Sequence, residues 1–206
     1  MLAPALLAPV GAPAVVVALP RGGVPVGFEI ALAIGAPLEL LAVRKLGAPG
    51  NPELAVGAIA EGGFAAVDAA AVRRAGMTQE ALDETVARES SELRRRVERY
   101  RGAGAALEVR GRRAILVDDG LATGLTALAA VRALRAQEAA RIVVAVPVGA
   151  RESLEILAAE ADEVCCHTVP ERLFAVGHWY EDFSPVSDEE VVALLSEAAA
   201  ALRAAS

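Results

Sequence analysis

Aromatic residues and long apolar runs are scarce in this sequence of 206 residues. Only four phenylalanines, two tyrosines and one tryptophan occur. Hydrophobic residues make up 55% of the chain, but alanine inflates that figure, and no stretch of about 18 or more apolar residues lacks a charge or a proline. The apolar N-terminal segment has no basic residues ahead of it, which argues against a secretory signal. We therefore expect a cytoplasmic protein with no membrane partner.

Basic residues are outnumbered by acidic ones, and cysteine is nearly absent. The net charge of −7 argues against a nucleic-acid-binding protein, which would carry a basic surface. The two cysteines, Cys165 and Cys166, are adjacent, and neighbouring residues of a strand point to opposite faces. Without C-x-x-C spacing, their thiols are unsuited to holding one metal ion or to redox work. We expect them to fill a buried strand.

The most informative stretch is an apolar run that ends in two adjacent acids. Residues 114–117 read Ala-Ile-Leu-Val, which predicts a buried parallel strand. Asp118 and Asp119 follow, and a loop of small and hydroxyl residues, 120–126, leads into an alanine-rich helix. Backbone amides at such a strand end form a cradle for anions. Acids beside a phosphate cradle predict a phosphorylated sugar, whose hydroxyls meet the acids while a divalent cation screens the charges.

Other phosphate-binding loops match this stretch less well. A Walker A loop requires a lysine before its serine or threonine, and no lysine follows Gly124. A dinucleotide-binding loop requires G-x-G-x-x-G, which this stretch does not contain. The alternative interpretation is a strand that ends in solvated acids before an ordinary helix, where the small residues only ease packing.

The segment from Ile115 to Gly124 resembles the phosphoribosyl pyrophosphate (PRPP) motif of the type I phosphoribosyltransferases. That motif has apolar residues, two acids, three small or apolar residues and then Thr-Gly. The resemblance implies that Asp118 and Asp119 bind the ribose hydroxyls and act in catalysis. It also implies that the loop amides and two threonine hydroxyls hold the 5-phosphate. The implied phosphate-binding residues are Ala122, Thr123, Gly124, Leu125 and Thr126.

Strand-like and helix-like segments alternate along the chain, which favours an α/β fold. The predicted strands cover residues 15–19, 38–43, 115–117, 142–146 and 164–169. The predicted helices cover residues 25–34, 78–101, 125–135 and a segment that begins after Ser187. We expect one domain over residues 1–206, with an open, mostly parallel sheet and helices on both faces, as in the type I phosphoribosyltransferases. An inserted long helix and a small C-terminal hood-like segment complete the expected fold.

Basic residues follow each of the first two predicted strands. The first loop reads Pro-Arg-Gly-Gly, and its glycines let the backbone approach an anion closely. The resemblance implies that Arg21 and Gly22 bind pyrophosphate. It implies that Arg44 also binds pyrophosphate and that Lys45 acts in catalysis by neutralising this leaving group. Residues 46–53 are rich in glycine and proline, which predicts a mobile loop that closes over the reacting centre. Ordinary turns with solvated bases are the alternative.

Four of the aromatic residues lie close together in residues 174–183. This run resembles the Phe-Val-Val-Gly segment of the purine-salvage phosphoribosyltransferases. The resemblance implies that Phe174 and Val176 contact the base and that Glu181 helps to hold the metal-bound pyrophosphate. Packing in a small satellite core is the alternative. Because proline and glycine interrupt the residues before the first predicted strand, we expect the C-terminal segment to supply any hood over the base.

Residues 78–101 combine apolar residues at helical spacing with acids at the start and arginines at the end. This charge arrangement complements the helix dipole, so we expect a solvated amphipathic helix. An arginine patch for an anionic partner is the alternative. The helix is also suited to serve as a lid or as the contact of a homodimer.

Taken with the resemblance, these features imply a Mg²⁺-dependent phosphoribosyltransferase of nucleotide metabolism. It would transfer the ribose 5-phosphate group of PRPP to a small nitrogenous base, or catalyse the reverse, with release of pyrophosphate. The alternative is a non-catalytic regulatory module that binds PRPP or a nucleotide. A scaffold protein with a decayed site is a third interpretation, against which the intact acids and the Thr-Gly pair argue.

Overall fold

Two sheets and six α-helices make up the part of the chain that a computed structural model describes, residues 13–101 and 107–205. The strands are β1 (Ala14–Ala18), β2 (Leu38–Leu40), β3 (Val43–Ala48), β4 (Asn51–Ala60), β5 (Ala65–Val67), β6 (Arg113–Val117), β7 (Arg141–Val148) and β8 (Glu163–Thr168). The helices are α1 (Gly23–Ile34), α2 (Ala69–Arg74), α3 (Gln79–Arg101), α4 (Leu125–Ala136), α5 (Arg151–Ala158) and α6 (Asp188–Ala205). A short 3-10 helix covers Val176–Trp179.

The larger sheet is parallel, has the strand order β2-β1-β6-β7-β8 and is covered by helices on both faces. Along β1, Val15 and Val17 pack in the cluster that contains α4. Val16 and Ala18 pack in the cluster that contains α1 and α6. All four side chains are fully buried, which explains why the strand reads as a continuous apolar run rather than as an alternating one. The predicted α/β architecture is confirmed.

The smaller sheet is antiparallel, with the strand order β3-β4-β5, and it corrects two predictions. The predicted strand 38–43 is two strands, because β2 ends at Leu40 and β3 begins in the other sheet. The predicted mobile loop 46–53 is largely regular, because β3 and β4 form a hairpin that turns at Pro49 and Gly50. The register shifts around Gly47, and Gly50 has a φ of +76°. A bulge and a turn thus accommodate the glycines that suggested a loop.

The predicted amphipathic helix is confirmed as α3, which packs against the smaller sheet. Its buried stripe includes Leu82, Leu93 and Tyr100, and Leu82 packs in the cluster formed by β3 and β4. Thr78 caps the helix, since its Oγ1 accepts a hydrogen bond from the N–H of Ala81 at 3.2 Å. No helix in the described part is long and apolar enough to cross a bilayer.

The two cysteines lie on β8, at the edge of the parallel sheet. Cys165 and Cys166 pack against opposite faces of the sheet, as predicted. The edge position leaves them half-buried rather than buried. Burial raises the pKa of the Cys165 thiol to about 11, so this thiol is protonated at neutral pH and is a poor nucleophile.

Candidate active site

The loops after β1 and β6 meet at the carboxyl edge of the parallel sheet. The N–H of Leu19 donates to the carbonyl of Val117 at 2.9 Å. A Cβ on Gly23 would lie 2.7 Å from the same carbonyl oxygen and 2.9 Å from the Cα of Asp118. Only glycine therefore allows the first loop to pack against the strand that carries the acids. The peptide bond between Pro20 and Arg21 is cis.

The two adjacent acids are held against each other. Asp118 Oδ1 accepts a hydrogen bond from the N–H of Asp119 at 2.9 Å. Burial raises the pKa of Asp118 well above its usual range, and the neighbouring Asp119 carboxylate raises it further. Burial also raises the pKa of Asp119. The pair therefore favours any ligand that brings hydroxyl donors or positive charge to the carboxylates.

The loop from Gly120 to Gly124, which contains part of the predicted anion cradle, leads directly into α4. Gly124 has a φ of +70° and directly precedes α4, whose hydrogen bonding begins when the N–H of Leu128 donates to the carbonyl of Gly124 at 2.8 Å. The N–H groups of the first helical turn have no acceptor within the helix, so they are available to an anion. Ala122 and Thr123 in this loop are exposed, and Leu125 and Thr126 in the first turn of α4 are half-buried.

A serine that the sequence analysis did not single out fixes this loop. Ser153 is 3% exposed, and its Oγ donates to the carbonyl of Ala122 at 2.6 Å. Its Cβ would lie 3.1 Å from a Cβ placed on Gly124. Ser153 lies in the first turn of α5, after β7. Its position beyond a strand end is the sequence signal that could have identified it.

A cavity of about 550 Å³ lies at the junction of the two loops. Arg21, Gly22 and Asp119 line it, so the structure brings these predicted residues together. A Cβ on Gly22 would overlap the Asp119 carboxylate, which shows how closely the two loops approach. The opposite wall comes from the C-terminal segment and includes Tyr180 and Asp182. We call this cavity the cleft.

The C-terminal segment is anchored to the acid motif, in agreement with the predicted hood-like segment. Tyr180 Oη donates to the backbone carbonyl of Asp119 at 2.6 Å. Burial, followed by the charges of Asp119 and Asp118, raises the pKa of Tyr180 to about 12. The Tyr180 ring also contacts the Phe183 ring, with centroids 5.1 Å apart. The N-terminal residues on which the expectation of a C-terminal hood rested, 1–12, lie outside the described part.

Within this segment, the predicted base and metal contacts are only partly brought to the site. Phe174 is 82% exposed and is not part of the cleft lining. Val176 packs over the loop that carries the two acids, residues 118–124, which we call the acid loop. Its Cγ1 would lie 2.7 Å from a Cβ on Gly120. Glu181 is exposed and does not line the cleft, whereas the next residue, Asp182, does. The metal contact of Glu181 stays a prediction, and Asp182 is the carboxylate of this segment that lines the cleft.

Arg44 and Lys45 line a second cavity of about 320 Å³, between β3 and α3, rather than the cleft. The guanidinium of Arg44 donates to Glu89 Oε2 through Nε at 2.9 Å and through Nη2 at 2.6 Å. Burial acts to raise the pKa of Glu89, but Arg44 and Arg88 hold it below the usual range. Arg44 is therefore engaged in an ion pair with α3 that the sequence analysis did not foresee, and its contact with pyrophosphate stays a prediction.

We expect Tyr180→Phe to lower the free energy of unfolding by about 1 kcal/mol, because one hydrogen bond to the acid loop is lost. The phenyl ring keeps the contact with Phe183, so packing of the segment is preserved. Urea denaturation of the wild type and the variant measures the difference. Equal stabilities would show that the bond to the Asp119 carbonyl does not hold the segment in place.

The chain is similar to known proteins in both sequence and structure. The phosphoribosyl transferase domain family matches residues 10–180. Proteins from two strains of Mycobacterium tuberculosis, provisionally named phosphoribosyl transferases, are 46% identical over 188 residues, or 91% of this chain. The chain spans only 42% of the length of these relatives. The crystal structure of TT1426 from Thermus thermophilus shares 46% identity and a TM-score of 0.78, covering 95% of this chain and 93% of that one.

Proposed function

This chain belongs to the phosphoribosyl transferase domain family, and from that premise we propose that it transfers the ribose 5-phosphate group of PRPP to a nitrogenous base, or catalyses the reverse, with release of pyrophosphate. One observation carries the proposal. The adjacent acids Asp118 and Asp119 follow β6 and lie a few residues before the start of α4, and Asp119 shares a cleft with Arg21 and Gly22. Sugar hydroxyls, phosphate and pyrophosphate thus each have a matching group.

The acids would act on the carbon at which the bond changes. In the proposed reaction, a nitrogen lone pair of the base forms a bond to C1 of the ribose. The bond from C1 to the diphosphate oxygen breaks, and its electron pair leaves with pyrophosphate. C1 gains positive character as the bond breaks. Asp118 and Asp119 would hold the 2′ and 3′ hydroxyls and stabilise that charge electrostatically, since both acids are partly shielded from water.

The remaining groups would orient the substrate. The free amides at the start of α4, with the hydroxyls of Thr123 and Thr126, are suited to the 5-phosphate. Arg21 presents a guanidinium fork, which binds phosphate oxygens well. Lys45 is the catalytic cation of this proposal, since its ammonium would neutralise the leaving pyrophosphate when substrate links the two cavities.

The donors in the cleft fit a Mg²⁺ ion that is bound mainly through the substrate. Among residues 13–101 and 107–205, no group of three or more His, Cys, Asp and Glu side chains could hold a metal ion. Mg²⁺ commonly takes one or two carboxylates together with substrate phosphates, and Asp119 and Asp182 are the carboxylates that line the cleft. When bound, the ion would offset the charge of the diphosphate. We therefore propose Asp182, rather than Glu181, as the protein contact of the metal.

A regulatory module that binds PRPP or a nucleotide without turnover is the second candidate. The observation that favours it is the position of Lys45, which lines the second cavity and not the cleft. If Lys45 never reaches the diphosphate, the leaving group lacks one of its proposed cations. Binding would then persist while turnover would be absent.

Calorimetry followed by an activity screen tests both candidates. We expect PRPP to bind only in the presence of Mg²⁺, and ribose 5-phosphate to bind more weakly because it lacks the diphosphate. A panel of purine, pyrimidine and pyridine bases, scored by pyrophosphate release, then identifies the acceptor. Binding without pyrophosphate release from any base would support the regulatory module. No binding at millimolar PRPP would contradict both candidates.

A further inference from the structure

The second cavity, between β3 and α3, is lined mainly by charged residues, most of them cationic. Four cationic side chains and one carboxylate contribute to its lining, namely Arg44, Lys45, Arg88, Arg96 and Glu89. Glu89 is already shared, since Arg44 binds it at 2.6 Å and Arg88 at 3.3 Å. Cationic side chains thus outnumber carboxylates in the lining of this cavity, which suits an anionic ligand.

Arg96 differs from the other arginines near the end of α3. Arg95 pairs with Glu92, and Arg99 pairs with Asp188 at 2.6 Å and with Glu189 at 2.8 Å. Within residues 13–101 and 107–205, Arg96 makes no hydrogen bond or close ion pair of its own, and the acid whose pKa it helps to lower, Asp188, is held by Arg99. Arg96 is nevertheless half-buried, whereas Arg95 and Arg99 are less so. A partly desolvated guanidinium with its donors uncommitted is suited to an anion.

Arg96 also connects the second cavity to the cleft. It lines a further, smaller cavity of about 260 Å³ together with Arg99 and Asp188. Asp188 in turn lies 3.9 Å from the guanidinium of Arg21, measured from Oδ1 to Nη1, and Arg21 lines the cleft. Arg96 thus lines one cavity with Lys45 and another with Asp188, the acid that Arg21 approaches.

We propose that Arg96 binds the diphosphate group of PRPP together with Lys45 and Arg21. This inference rests on the proposed function, and it assigns the inserted helix α3 to the pyrophosphate subsite. The diphosphate is the most highly charged part of PRPP, and it requires more compensation than Arg21 alone supplies. A guanidinium that donates to no acid breaks no hydrogen bond when the diphosphate arrives.

Titration calorimetry of Arg96→Gln with PRPP and Mg²⁺ tests this role, with Arg95→Gln as the matched control on the same helix. We expect Arg96→Gln to weaken PRPP binding at least roughly tenfold, the effect of losing one hydrogen bond between charged groups. Ribose 5-phosphate, which has no diphosphate, should bind equally to the wild type and Arg96→Gln. Arg95→Gln should match the wild type for both ligands. Arg96→Lys should recover part of the lost affinity, since it restores the charge.

Each other outcome overturns the inference in a distinguishable way. Equal PRPP affinities of the wild type and Arg96→Gln contradict the role of Arg96 and leave the proposed function standing. An equal loss for PRPP and ribose 5-phosphate, with a lower melting temperature, assigns Arg96 to the fold instead. If added pyrophosphate binds to the wild type at saturating PRPP, and Arg96→Gln abolishes this binding, Arg96 belongs to a separate anion site and not to the PRPP site. If the wild type binds neither sugar phosphate, the proposed function and this inference both fail.

Discussion

Replacement of both Asp118 and Asp119 by asparagine is expected to lower turnover by at least ~10³-fold, and yet to raise the melting temperature. The loss follows because, in the proposed reaction, the carboxylates stabilise charge at C1, and one preorganised electrostatic contact can account for ~10²–10³-fold in rate. The gain follows because burial raises the pKa of both acids, so their ionised forms destabilise the folded protein at neutral pH. Steady-state kinetics and differential scanning calorimetry measure the two effects.

The pH dependence of stability provides the control for this variant. An acid whose pKa is raised by folding costs stability above that raised pKa, and this cost disappears as the pH falls toward the usual value near 3.8. The asparagine variant should therefore melt above the wild type at neutral pH, and the difference should shrink toward pH 4. A variant that melts below the wild type at neutral pH, or that keeps near-normal turnover, would contradict the assigned role.

Gly23→Ala is expected to have the second largest effect, on stability and activity together. The new Cβ would meet backbone atoms of β6 and of Asp118 at 2.7 and 2.9 Å, and backbone cannot rotate away as a side chain can. Overpacking of this kind costs about 1–3 kcal/mol. The loop that carries Arg21 must then move away from Asp118, and a misplacement of about 1 Å can cost ~10²-fold in rate.

Gly35→Ala is the matched control, since Gly35 ends the same helix, α1, far from the acids. Gly35 has a φ of +63°, and an added Cβ there would meet nothing within 4 Å, so alanine costs about 1–2 kcal/mol through backbone strain alone. Denaturant unfolding and PRPP turnover should show a lower stability for both variants and a lower activity only for Gly23→Ala. Equal activity losses would show that the position of the first loop is not what limits catalysis.

Local signals in the sequence were sufficient for most of the parallel sheet. The continuous apolar runs of β1 and β6 reflect burial on both faces, and Gly35 ends α1 in the left-handed conformation, as glycine at that position predicts. Helix α6 begins after Ser187, as predicted, and Ser187 caps it, since its Oγ accepts a hydrogen bond from the N–H of Glu190 at 3.1 Å. The resemblance also implied that Arg21 and Asp119 bind one substrate, and both residues line the cleft.

Contacts between distant residues could not be predicted in the same way. The pairing of Arg44 with Glu89 joins residues on different elements, and no local pattern links one residue to the other. The β3–β4 hairpin was misread because glycine and proline favour turns, while the bulge that accommodates them depends on pairing with the neighbouring strand. Asp182 and Glu181 are equivalent as sequence, and only the path of the C-terminal segment decides which of them lines the cleft.

The C-terminal segment also carries a fluorescent residue next to its anchor on the acid loop. Trp179 is the single tryptophan, it is 48% exposed, and it is bonded directly to Tyr180, whose hydroxyl holds the Asp119 carbonyl. Any ligand that displaces this segment changes the polarity around the indole. The emission spectrum of the unlabelled wild-type protein therefore offers an optical signal from the acid loop, suited to stopped-flow mixing at micromolar concentration.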